Sequence, residues 1–169
     1  MTEIFNEQLV KRIPKSSDYV KKGVYISIAL LIIFISMLST FLFFFIIIIV
    51  LLEVAVITFL FHRMNLEYEY IVTNSELDVD KIINMRKRKH LFTVDIKSII
   101  VMTKYNNMNE STEFRSYDKQ IDVSSGQITD DTYAFMVIMN KKRTMVIFQP
   151  NELVLKSMRI YMAGKLLKS

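Results

Sequence analysis

"VYISIALLIIFISMLSTFLFFFIIIIVLLEVAVITFLF", residues 24–61, is 38 residues long and carries one carboxylate, Glu53, and no cation. Its hydroxyl-bearing interruptions are Tyr25, Ser27, Ser36, Ser39, Thr40 and Thr58. No soluble core needs an apolar block of this length, whereas a membrane-crossing helix needs about 20 apolar residues. A cleavable signal peptide has an apolar core of only about 7–15 residues followed by a small-residue cleavage site. This block is longer and has no Ala-x-Ala, so it predicts an integral membrane protein.

As one helix the block would extend about 57 Å, against a hydrocarbon core of about 30 Å. Ordinary tilts of about 20° cannot absorb that excess. Division near Ser39 and Thr40 gives two helices, 24–38 and 41–61, joined by a tight turn. Lys11, Arg12, Lys15, Lys21 and Lys22 precede the block, and His62, Arg63, Lys81 and Arg86 to Lys89 follow it. Cationic flanks favour the cytoplasm, and only an even number of crossings keeps both there. The expectation is a multi-pass protein of the cell membrane with both termini cytoplasmic. Residues 1–23 read as a basic interfacial segment resting Leu9, Val10 and Ile13 on the membrane surface. A turn at residue 40 would set Ser27 level with Glu53, forming an intramembrane polar pair. A lone carboxyl there is costly; it is either protonated and satisfied by a hydroxyl or a twin copy, or part of a relay.

Residues 64–169 read as a cytoplasmic domain. Leu66, Tyr68, Tyr70 and Val72 alternate with Glu67, Glu69, Ile71 and Thr73, the period of a strand with one buried face. Asn74 and Ser75 supply a turn, and Leu77 and Val79 alternate with Glu76, Asp78 and Asp80 on the way back. Phe92, Val94 and Ile96 continue the pattern, and a polar stretch over 105–131 holds a further strand around 114–117. Residues 133–139 and 144–148 form a second hairpin. Asn151 then caps a helix with Leu155, Met158, Met162 and Leu166 on one face and Lys165 and Lys168 near its end.

"EYEYIVTNSELDVDKIINMRKRKHL", "DVSSG" and "TMVIFQPNELVLKSM" resemble a family of small Gram-positive bacterial membrane proteins. In that family a two-helix hairpin precedes a bacterial pleckstrin-homology (PH)-like cytoplasmic domain. The resemblance implies an α+β domain: a curled antiparallel sheet or partly open barrel, closed by one C-terminal helix. It implies no activity.

Chemistry is sparse. The three glycines are far apart, and His62 and His90 have neither metal-binding spacing nor an adjacent nucleophile. Asp78 and Asp80 share a strand face, but Glu76 continues the row, as on a solvated face. No cysteine offers a disulfide or thiolate site. The chain is therefore expected to be no enzyme and to hold no cofactor or metal. The run Arg86, Lys87, Arg88, Lys89 is a solvated turn, a lipid- or partner-facing edge, or a nucleic-acid contact. Seventeen Lys and Arg against thirteen Asp and Glu over 62–169, with no interleaved aromatics, argue against nucleic acid. Two functions remain. One is a PH-like lipid- or protein-interaction domain held at the inner leaflet, its cations meeting anionic lipid head groups. The other is a self-associating scaffold or an accessory subunit of an envelope complex.

Overall fold

The computed structural model describes residues 4–162, so Lys165, Leu166 and Lys168 lie outside the described residues. The chain divides into two compact units, Met1–Ile13 with Leu66–Ser169, and Pro14–Asn65.

The second unit is a helical hairpin. Helix α1 (Ser16–Leu38) starts two residues after Pro14, where the Asp18 carboxylate accepts the Lys15 amide at 2.9 Å. Its end at Ser39 needs no glycine. The Ser39 hydroxyl accepts the Leu42 amide and starts the one-turn helix α2 (Thr40–Phe43). Helix α3 (Ile46–Met64) returns. At about 1.5 Å per residue, α1 and α3 are about 34 and 28 Å long, enough to cross a hydrocarbon core. Their most apolar windows have mean hydropathies of 1.9 and 2.3, and only 6% and 0% of those windows is buried. A core helix of a soluble protein would be covered; these are bare.

The first unit contains two four-stranded sheets. One runs β1 (Phe5–Lys11), β2 (Leu66–Thr73), β3 (Glu76–Ile83), β4 (Lys87–Asp95), all antiparallel. The other has the order β5 (Val101–Lys104), β7 (Tyr133–Met139), β8 (Lys142–Phe148), β6 (Lys119–Asp122), with β6 parallel to β8. Helix α4 (Glu152–Met162) adds Val154, Leu155, Met158 and Met162 to a core built on Tyr70, Val72, Leu77, Phe135 and Phe148. Phe135 and Phe148 meet edge to face at 5.1 Å. The Tyr70 hydroxyl donates to the Val123 carbonyl at 2.5 Å and accepts the Gln149 amide at 3.3 Å. Burial among these groups holds its phenol well above the usual tyrosine range.

Three expectations change. Residues 5–11 are not an interfacial segment but strand β1, paired along its length with β2. The inward positions Asn6 and Gln8 hid this, because they bury amides rather than carbon. Asn6 donates to the Ser157 hydroxyl at 2.6 Å; Gln8 donates to the Gln149 carbonyl and accepts the Asn151 amide. The first long helix starts at Ser16 rather than residue 24, its charged first turns carrying no apolar signature. The strand around 114–117 is instead a 3-10 turn at Thr112–Phe114, and the strand follows at β6. Asn74 does adopt the left-handed conformation its turn requires, with φ 51°.

The consequence is topological. Arg12 donates its amide to the Leu66 carbonyl at 2.9 Å, so the helical hairpin is an insertion between two hydrogen-bonded neighbouring strands. Replacing residues 14–65 by a short Gly-Ser linker is predicted to leave a soluble, cooperatively folding domain. A 64–169 fragment, lacking β1 and exposing the edge of β2, is predicted to aggregate. Circular dichroism and thermal melts of the two proteins check this.

Candidate functional site

The basic run is divided by strand geometry. Asn84 and Met85, both with φ near 50°, turn the chain, and Lys87 onward already belongs to β4. Successive strand residues face opposite ways. Arg88 and His90 therefore share one face of the sheet, and Lys87 and Lys89 the other.

On the first face Arg88 reaches Glu69 at 2.7 and 2.6 Å and Asp80 at 3.7 Å. His90 Nδ1 lies 2.8 Å from Asp80 Oδ1, and Thr93 donates to Asp78. The Glu69 side chain is only 2% exposed. Burial, then a shared hydrogen bond with Glu7, raise its pKa above the ordinary carboxylate range, and the charge of Arg88 opposes them. Asp78 and Asp80 are thus not an ordinary solvated row: Asp80 is buried beneath Arg88 and His90. Thr93, His90 and Asp80 connect in the order of a hydrolase triad, His90 Nε2 lying 3.3 Å from Thr93 Oγ1. But the Thr93 hydroxyl gives its hydrogen to Asp78, so this network holds the sheet rather than activating a nucleophile. Among the described residues no cluster suits a metal.

On the second face Lys89 stands directly across from Lys81, with Lys87 two residues further on. Like charges directly opposite one another destabilise a sheet. Among the described residues neither they nor Arg86 has an acidic partner. Three lysines thus lie together on this face with no acidic side chain among the described residues to offset them.

In the helical unit the expected Ser27–Glu53 pair is not formed. Both Glu53 carboxylate oxygens are buried without a hydrogen-bond partner. With Tyr25, Ile28, Ala29 and Ile32 of α1, Glu53 lines an apolar cavity of about 250 Å³. The reversal occupies residues 39–45 rather than a point at 40, which moves the level of Glu53 about one helical turn along α1, past Ser27. A larger hollow of about 970 Å³ lies between β1 and α4, but there Asp131 and Glu152 offset Lys156 and Arg159. The Gln149 amide at its wall is already engaged with Gln127, Thr129, Thr132 and Ser125.

The family model described as Bacterial PH-like domain (DUF6106) matches residues 2–168. The chain belongs to that family. No curated protein and no solved structure matches it. The match begins ahead of β1, in keeping with a domain whose first strand precedes the helical hairpin. PH-like domains are in general interaction modules, which directs attention to surfaces such as the lysine face.

The division of the run is testable. Arg88→Met is predicted to cost about 1–2 kcal/mol near pH 8, the half-exposed guanidinium limiting the loss. Neutralising Lys87 and Lys89 should change stability by less than about 0.5 kcal/mol. Glu69 holds a proton in the folded state at pH values where the unfolded chain has released it. Stability therefore falls as pH rises from about 4.5 through the raised folded value. Glu69→Gln should remove that dependence and melt above wild type at pH 8, as thermal scans across pH would show.

Proposed function

We propose that the chain is a non-enzymatic integral membrane protein. Helices α1 and α3 cross the bilayer, and the PH-like domain stands on the cytoplasmic side, its Lys81–Lys87–Lys89 face meeting anionic lipid head groups. The observation that carries this reading is the insertion of two bare apolar helices between paired strands. A segment whose two ends are hydrogen-bonded to each other at Arg12 and Leu66 can enter and leave a membrane only on one side. That favours two crossings over one, and the cations flanking both ends favour the cytoplasmic side. Lys22 lies over the Phe61 ring at 5.2 Å and Arg63 over the Phe59 ring at 4.7 Å. Such aromatic and cationic pairs suit the two polar ends of a hairpin at the head-group level.

Each cation near an anionic surface contributes about 1 kcal/mol. Since the hairpin supplies the anchorage, the lysines orient the domain and raise its contact time with the inner leaflet. The absence of cysteine makes the topology directly measurable. A cysteine replacing Phe44 should react with an impermeant maleimide in intact cells, and one replacing Asn140 only after permeabilisation; the reverse pattern, or labelling of both, would refute the topology. Flotation of the linker-joined domain with anionic vesicles should weaken roughly a hundredfold when Lys81, Lys87 and Lys89 become Gln. It should be undetectable with neutral vesicles.

A further inference from the structure

Strand β1 is the edge strand of its sheet. The Arg12 amide donates to the Leu66 carbonyl, and the Ile4 carbonyl accepts the Asn74 amide. In an antiparallel ladder the bonded residues alternate. The even-numbered residues of β1 therefore face β2, and the amides and carbonyls of Phe5, Glu7, Leu9 and Lys11 point away from the sheet. Among the described residues nothing hydrogen-bonds to them. Natural edges of this kind are shortened, bulged, interrupted by proline or guarded by charge, and of these devices β1 carries only charge, at Glu7 and Lys11. β1 is seven residues long, has no proline and keeps an unbroken register. Its exposed side chains include Phe5 at 60% and Leu9 at 56%.

The order of those side chains selects the occupant. Glu7 and Lys11 stand two residues either side of Leu9 with opposite charge. Set antiparallel to a second copy, with the two-fold axis through Leu9, the strand places Leu9 against Leu9 and each Glu7 against the other copy's Lys11. All three positions carry outward backbone groups, so every pair in that register is a hydrogen-bonded one. A neutral peptide laid on the same edge would offer neither Glu7 nor Lys11 an opposite charge across the new seam. We propose that β1 is a homodimerisation edge through which two copies join their four-stranded sheets into one continuous eight-stranded sheet. Pairing ends at Lys11, because the Ile13 amide is already given to the Ser125 carbonyl. The ladder is short, so the dimer is weak and concentration-dependent, and confinement of the copies to one surface would favour it. The inference draws on the PH-like domain alone and is read separately from lipid binding.

The test is oxidative crosslinking of the full-length, otherwise cysteine-free chain, scored in whichever cell fraction holds it. In the proposed register opposed Cα atoms at position 9 lie about 5.5 Å apart, within disulfide reach. Leu9→Cys should give a covalent dimer, while the equally exposed Ile138→Cys and the inward-facing Gln8→Cys should not. Adding Glu7→Lys or Lys11→Glu should slow that crosslink about tenfold, since each turns two attractive cross-strand pairs into repulsive ones. The double reversal should restore it, which also shows that neither change acts by unfolding the strand. No dimer from Leu9→Cys, equal crosslinking by Ile138→Cys, or no rescue by the double reversal would overturn the proposal. A monomeric Leu9→Cys chain whose new thiol is instead protected by another protein would overturn it too, giving the edge to a different occupant.

Discussion

The hydrogen bond from the Arg12 amide to the Leu66 carbonyl ends the β1–β2 ladder and closes the chain on itself around the helical hairpin. The organisation of the molecule follows from that closure. Without β1, strand β2 becomes a bare edge, and the helix behind it loses the amides that hold its start. Gln8 and Asn6 tie β1 to Asn151 and Ser157, at the first and middle turns of α4. One strand thus serves the sheet through its backbone, the helix through its polar inward side chains, and the hairpin through its end.

Charge is sorted by the two-residue period of the strands. The cations of 86–89 are adjacent in sequence, yet one face of β4 uses Arg88 to neutralise the buried Glu69 and Asp80. The other accumulates Lys87 and Lys89 across from Lys81, with no acid among the described residues to offset them. The first arrangement offsets part of the desolvation of two carboxylates. The second sets like charges opposite one another, a small cost in stability.

Much of the domain was legible in the residues. Strands β2 and β3 follow from alternation, β7 and β8 from short apolar runs on either side of Asn140, and α4 from its Asn151 cap, whose side chain accepts the Val154 amide at 2.9 Å. The division of the apolar block near Ser39 was legible too, through a hydroxyl able to start a new helical turn. What escaped are the places where burial is achieved without carbon. Asn6 and Gln8 face inward in β1, and Glu69 is buried because Arg88 folds across it, a contact between strands that no local pattern encodes. The level of Glu53 escaped for a geometric reason, since a reversal spread over several residues shifts every pairing by a turn of helix.

The closure itself is open to direct measurement. Lys11 and Glu67 are opposed in the register of β1 and β2 as a non-bonded pair, for which Cα atoms lie about 4.5 Å apart. With cysteine at both positions and none elsewhere, oxidation should produce an intramolecular disulfide in nearly every chain, seen as a faster-migrating monomer whose shift is reversed by reductant. A chain that stays open, or that crosslinks only to other copies, would show that the hairpin does not sit between paired strands.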